Sequence, residues 1–227
     1  MIISHKHKFI FIATPKCAST TIEAALAPLH QINANQFDDN PDSFYHRQWH
    51  IAPKNLKTHF KEMNWNWDKY FKFAFVRNPW DRLVSNFKYQ KKLVYSTDKH
   101  GKFFRADGAI SNLTIQAKQS IYEEFKKNTK ENNFKLWLSR DRGVGPCFDF
   151  LSDKGGNLMM NFVGKVENLQ EDFDTICDKI GIPKQQLPHA NKTKHKYYTE
   201  YYDDETRAII AEKYAKDIEH FGYKFGE

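Results

Sequence analysis

Lys8-Phe-Ile-Phe-Ile-Ala13 runs directly into Thr14-Pro-Lys-Cys-Ala-Ser-Thr-Thr21, and this junction is the most informative stretch in the chain of 227 residues. The first run is short, β-branched and aromatic, as expected of a strand buried on both faces of a parallel sheet. The residues that follow, Thr20-Thr-Ile-Glu-Ala-Ala-Leu-Ala27, read as a helix. A strand, a tight turn and a helix in this order point backbone N–H groups and the positive end of a helix dipole into the turn, which suits an anion such as a phosphate. Ser19, Thr20 and Thr21 add hydroxyls that can cap the helix or donate to that anion. The turn is not a Walker A loop, because Lys16 comes early and no glycine is present. A Mg-dependent nucleotide hydrolase is therefore disfavoured.

A second junction has the same build. Phe71-Lys-Phe-Ala-Phe-Val76 reads as another buried strand, and Arg77-Asn-Pro-Trp-Asp-Arg-Leu-Val-Ser85 follows it. Asn78 is suited to cap a helix, and Pro79 sits where a first helical residue tolerates a missing N–H. In a doubly wound sheet, ligands bind outside the carboxyl ends of the strands, where Arg77 and the first turn both emerge. Arginine offers a planar fork of donors to a phosphate, and the Ser85 hydroxyl can add one more hydrogen bond. Two separated anion sites imply a ligand phosphorylated at two places. The fold class expected is α/β, a parallel sheet flanked by helices.

The two motifs, in this order, resemble those of the sulfotransferases that use 3′-phosphoadenosine 5′-phosphosulfate (PAPS). The Pro-Lys-x-Ala-Ser-Thr wording and the Arg-Asn-Pro-x-x-Arg-Leu-Val-Ser wording are similar to the carbohydrate branch, especially uronyl 2-O-sulfotransferases and their bacterial relatives. Phe162-Val-Gly-Lys-Val-Glu-Asn-Leu169, Leu187-Pro-His-Ala-Asn-Lys-Thr193 and Asp217-Ile-Glu-His-Phe-Gly-Tyr-Lys-Phe225 are similar to that branch too. The resemblance implies a P-loop-like sulfotransferase fold, PAPS as donor and PAP as product. It implies that Pro15, Lys16, Cys17, Ala18, Ser19, Thr20 and Thr21 hold the 5′-phosphosulfate, that Arg77 and Ser85 hold the 3′-phosphate, and that Lys192 and Thr193 belong to a loop closing over the nucleotide.

Sulfuryl transfer to a hydroxyl needs a cation at the oxygen that becomes the leaving group, and a base for the proton. Lys16 is the expected cation, since charge grows there in the transition state. In similar enzymes a histidine between the two phosphate motifs is often the base. His50, in Arg47-Gln-Trp-His-Ile-Ala52, fits best, and His46 lies four residues earlier. An unperturbed imidazole can accept a hydroxyl proton near neutral pH. His46 and His50 could share a metal on a helix, but a third ligand is not evident and the chemistry requires none, so no metal is expected. Arg82 reads as a third phosphate contact or as a helix-surface salt bridge, and Glu167 as structural.

Composition agrees with a single domain over 1–227: hydrophobic residues make up 40%, enough for a substantial core. Mean hydropathy is −0.75 and long apolar runs are absent, so a membrane span is not expected. Met1-Ile-Ile-Ser-His-Lys leads straight toward the first strand without the pattern of a signal peptide, and the expected location is cytoplasmic. Three widely spaced cysteines, an odd number, argue for reduced thiols. Thirty-five basic residues against 28 acidic ones leave a net charge of +7, which attracts PAPS or an acidic glycan. Lys88, Lys91, Lys92, Lys99, Lys102 and Arg105, interleaved with Tyr89, Tyr95, Phe103 and Phe104, could be drawn as a nucleic-acid surface. Acidic residues return at Glu123, Glu124 and Glu131, and zinc-finger and RNA-recognition motifs are missing. Residues 88–142 are instead read as a helical insertion on the acceptor side, with no nucleic-acid partner.

Strands are expected at 8–13, 71–76 and from Phe162, and helices at 20–29, 52–60, 79–91, 114–127, 131–138, 169–180 and 203–221, with a polar loop over 31–45. Trp49, Trp65, Trp67 and Trp137 are either core or platforms for sugar rings. Three functional readings stay open. The leading one is a sulfotransferase moving the sulfuryl group from PAPS to a hydroxyl of a sugar-containing acceptor, with oligosaccharides and polysaccharides among the candidates. The others are a nucleotide or small-molecule kinase of related fold, and a nucleotide-binding protein without chemistry. Oligomeric state is not encoded in any motif.

Overall fold

The computed structural model describes residues 1–30, 50–97, 123, 127, 133–139, 143–187 and 197–227. Four strands form one sheet in the order β1 (Ile2–Ser4), β2 (Phe9–Ile12), β3 (Phe71–Val76), β4 (Phe162–Lys165). The β2–β3 and β3–β4 pairs are parallel, with Ile12 beside Ala74 and Val76 beside Lys165. The β1–β2 pair is antiparallel, so the helix-flanked sheet that the sequence predicts is mostly parallel with one antiparallel edge. The cause is local: Lys8, at φ 52°, turns the chain back, and three residues suffice to add an edge strand that the motif pattern does not announce. Every residue of β2 and all but the first of β3 are buried, as central strands covered on both faces must be. At Gly164, the partner of Phe75 across the β3–β4 pair, a β-carbon would lie 2.6 Å from the Phe75 ring, so that ring fills the space a side chain on β4 would need.

Helix α1 (Ser19–Leu26) follows β2 and continues as a 3₁₀ turn, Ala27–Leu29. Helix α2 (Pro53–Glu62) buries Leu56 and Phe60. Helix α3 (Pro79–Thr97) follows β3 and runs beyond the expected end at 91. Next come α4 (Phe134–Ser139), α5 (Cys147–Leu151), α6 (Leu169–Ile180), α7 (Asp204–Lys213) and α8 (Ala215–Phe221). The single last helix expected over 203–221 is two helices, broken at Tyr214, whose buried hydroxyl donates to the Val144 carbonyl. The expected helix at 114–127 and the polar loop at 31–45 fall almost wholly outside the described residues.

One core packs the sheet against α1, α2, α5 and α6; a second surrounds α3, where Trp80, Leu83, Val84 and Phe87 meet Phe134, Trp137, Ile210 and Tyr214. Trp67 and Trp137 are core residues, and Trp65 packs edge-on against Phe60. Burial of aromatic surface of this extent is the main force holding α3 in place, at roughly 25 cal/mol per Å² removed from water.

Candidate functional site

Thr14 to Ala18 form the turn between β2 and α1. Two residues without glycine's freedom, Lys16 (φ 65°) and Ala18 (φ 56°), take left-handed backbone conformations there. Such conformations cost about 1–3 kcal/mol each and persist only where the surroundings enforce them. Ala18 is the N-cap of α1 and carries no side-chain cap bond, which corrects the expectation that a hydroxyl closes this terminus. Ser19, Thr20 and Thr21 lie inside the first helical turn instead; Thr20 is exposed, Ser19 half-buried and Thr21 buried. The N-terminus of α1 thus keeps the positive partial charge that an anion seeks.

The Lys16 ammonium lies 3.9 Å from the centre of the Tyr89 ring. Burial first, and the Arg77 charge second, lower its pKa from 10.5 to about 8, with Cys17 pulling slightly the other way. At neutral pH the side chain therefore remains a cation, held at a cost that an arriving anion would relieve. Cys17 turns inward: it is buried, and its sulfur lies 3.9 Å from that of Cys147. Burial disfavours its thiolate, yet the hydrogen bond with Cys147 and the Arg82 and Arg77 charges outweigh this, so its pKa falls. Burial pushes the Cys147 thiol well up. All three cysteines are buried and unbridged.

Arg77 emerges from the end of β3, the strand next to β2 and parallel to it, so both junctions open on the same edge of the sheet. The guanidinium is half-buried and engages Asp81 through Nε and Nη2, each at 2.7 Å from the same carboxylate oxygen. Asn78 caps α3, its side-chain oxygen accepting from Trp80 N–H, while its own N–H donates to Glu167 at 2.7 Å. Glu167 is accordingly a brace beneath the start of α3. Ser85 lies on α3, half-buried. Because β2 and β3 are adjacent and α3 packs beside the turn, the structure brings Lys16, Arg77 and the helix that carries Ser85 together.

His50 is exposed at the beginning of the segment leading to α2, and its Nδ1 lies 2.7 Å from the Ala13 carbonyl, one residue before the turn. A carbonyl oxygen only accepts, so Nδ1 carries the proton and Nε2 is the acceptor nitrogen of the neutral ring. His46, Trp49, Lys192 and Thr193 lie outside the described residues. Among the described residues no cluster of three or more His, Cys, Asp or Glu side chains is arranged to hold a metal ion, and no helix is long and apolar enough to cross a membrane.

The structure overturns both readings of Arg82. At 1% exposure it is neither a phosphate contact nor a surface ion pair; its Nε donates to the Pro15 carbonyl at 2.9 Å and its Nη1 to the Gly145 carbonyl at 2.8 Å. Tyr89, read in the sequence only as part of the 88–142 insertion, is brought directly against Lys16. Its separation from Ser85 by one helical turn was the available signal, since residues i and i+4 share a helix face.

The chain matches the Sulfotransferase family over residues 1–224, and it belongs to that family. Family membership implies PAPS as the sulfuryl donor and PAP as the product. Among curated proteins it is 24% identical to carbohydrate sulfotransferase 10 of Gallus gallus, over 99% of this chain and 66% of that protein. It is 23% identical to carbohydrate sulfotransferase 9 of Homo sapiens, over 95% and 47% respectively, and 29% identical to carbohydrate sulfotransferase 11 of Danio rerio, over 80% and 53%. The chain thus spans between about half and two thirds of the length of these relatives. No solved structure matches it significantly.

Proposed function

We propose that this protein transfers the sulfuryl group of PAPS to a hydroxyl of a carbohydrate-containing acceptor. The observation that carries the reading is the pairing of Lys16 with Arg77 at one sheet edge, close enough for the arginine charge to depress the lysine's pKa, beside an uncapped helix N-terminus. Two neighbouring cations with a helix dipole make a site for a multiply charged anion. The named relatives, all carbohydrate sulfotransferases, support a sugar hydroxyl as acceptor.

PAPS would supply the sulfuryl group and leave as PAP. In this reading the turn and the first residues of α1, from Pro15 to Thr21, hold the 5′-phosphate end. Cys17 contributes through its backbone, since its side chain faces inward. Arg77 and Ser85 take the 3′-phosphate; Asp81 fixes the plane of the arginine fork, and its remaining donors serve the anion. Lys16 neutralises charge on the oxygen that leaves sulfur, an interaction strongest in the transition state. His50 accepts the acceptor's hydroxyl proton at Nε2, its ring oriented by the Ala13 carbonyl. His46 is the alternative base, and Lys192 with Thr193 the closing loop. Residues 88–142 form the acceptor side; in support, exposed Tyr89 borders Lys16, and α4 packs on α3 through Phe134, Trp137 and Phe87. A cytoplasmic location is proposed from the odd number of widely spaced cysteines, and fractionation of producing cells tests it.

Incubation with sulfur-labelled PAPS and a panel of glycans tests the reading: label should move to a glycan, and Lys16→Ala should slow transfer on the order of 10²-fold or more. Preferential thermal stabilisation by ATP with Mg over PAP would count for the kinase alternative and against this one.

A further inference from the structure

We propose that Arg82 is a positioning residue for sulfuryl transfer: its buried guanidinium clamps the Pro15 carbonyl, and so sets the direction from which the neighbouring Lys16 ammonium meets the reacting group. This rests on the assignment of Lys16 under the proposed function, and it gives Arg82 a task that neither reading of its motif contained.

The argument begins with helix geometry. Arg82, Ser85 and Tyr89 stand at i, i+3 and i+7 of α3, so they share one face. Two of the three touch the turn: Arg82 Nε holds the Pro15 carbonyl at 2.9 Å, and the Tyr89 ring lies 3.9 Å from the Lys16 ammonium. The Pro15 carbonyl belongs to the same peptide plane as the Lys16 N–H. Fixing that plane fixes the start of a residue at φ 65°, a conformation lysine does not keep unaided.

The clamp has a firm backing. Arg82 Nη1 donates to the Gly145 carbonyl at 2.8 Å and lies 4.0 Å from Asp217, which is fully buried. Asp217 in turn accepts from the N–H groups of Cys147 and Phe148, at 2.8 and 2.7 Å, and Tyr214 holds the Val144 carbonyl. The segment from Gly143 to Phe148 is therefore anchored to α8 and to the residue that precedes it, and Cys147 meets Cys17 from behind the turn. At Gly143 a β-carbon would lie 2.6 Å from Leu83, so this segment also rests directly on α3. One helix thus carries Ser85 and grips the turn that bears Lys16. The spacing between the two anion sites is set by a rigid body, and Arg82 is the link. Lysine cannot substitute, because a single ammonium does not present two donors in a fixed fork to two carbonyls.

The test compares wild type, Arg82→Lys, and the double variant Arg82→Met with Asp217→Asn, which removes both members of the buried pair. Two readouts are taken on folded protein: kcat and donor KM, and the pH dependence of Lys16 acylation by an amine-selective reagent, followed by mass spectrometry. Both variants are expected to fold, to lose on the order of 10- to 100-fold in kcat with donor KM within about threefold, and to move the Lys16 labelling midpoint from near 8 by at least about one pH unit toward that of a free lysine. Wild-type kcat and an unmoved midpoint in Arg82→Lys would overturn the proposal. So would loss of fold in both variants, which would make Arg82 a folding residue. If wild type itself moves no sulfuryl group, the functional reading fails, while the labelling midpoint still reports whether Arg82 governs Lys16.

Discussion

Binding of PAP should draw a proton onto the protein, and its affinity should fall steeply above neutral pH. In the ligand-free protein the Lys16 ammonium titrates near 8, held down by burial and by Arg77. A phosphate dianion beside it supplies the missing counter-charge, and restoration of the ordinary value of 10.5 is the natural limit. Phosphate monoesters lose their last proton near 6, so above pH 7.5 the ligand itself barely titrates. Linkage between a pKa of about 8 when free and about 10.5 when bound then weakens PAP by about twentyfold between pH 7.5 and 9.5, roughly 1.8 kcal/mol. At pH 9 about 0.9 proton should be taken up per PAP bound. Isothermal titration in two buffers of different ionisation enthalpy measures both quantities. Lys16→Met should bind more weakly but lose most of the pH slope. An affinity independent of pH over this range, or an unchanged slope in Lys16→Met, would refute the placement of Lys16 at the phosphate end.

Without ligand, Lys16 should cost stability below about pH 8, because the unfolded chain binds this proton more tightly, and the cost should fade as pH rises toward 10.5. Urea denaturation of wild type and Lys16→Ala at pH 7.5 and 10.5 should show the wild type gaining on the variant by at most about 3 kcal/mol, less after solvent screening; no relative gain would contradict the burial of this charge. Turnover of Lys16→Ala should drop on the order of 10²-fold or more. His50→Ala should lower kcat by about 10²- to 10⁴-fold with donor binding nearly intact, and added imidazole should restore part of the rate; full activity would move the base elsewhere. Gly164→Ala forces a β-carbon to within 2.6 Å of the Phe75 ring and should cost about 1–3 kcal/mol by thermal melt, whereas an unchanged melting temperature would argue against the β3–β4 register.

What the sequence alone determined is local: two buried strands, each followed by a turn and a helix, and in those turns residue types whose chemistry suits an anion. Burial on both faces makes β2 and β3 near-continuous apolar runs, and a cation or hydroxyl just past such a run has few places to go but the sheet edge. Tertiary structure decided what depends on neighbours distant in the chain. The Arg82 side chain could face solvent, ligand or core by helical spacing alone; only the docking of α3 on the Pro15 turn, and of Gly145 behind it, turned it inward. The reversal that adds β1, the break at Tyr214 and the meeting of Cys17 with Cys147 have the same origin, since each is fixed by partners whose approach is a property of packing and leaves no period in the sequence.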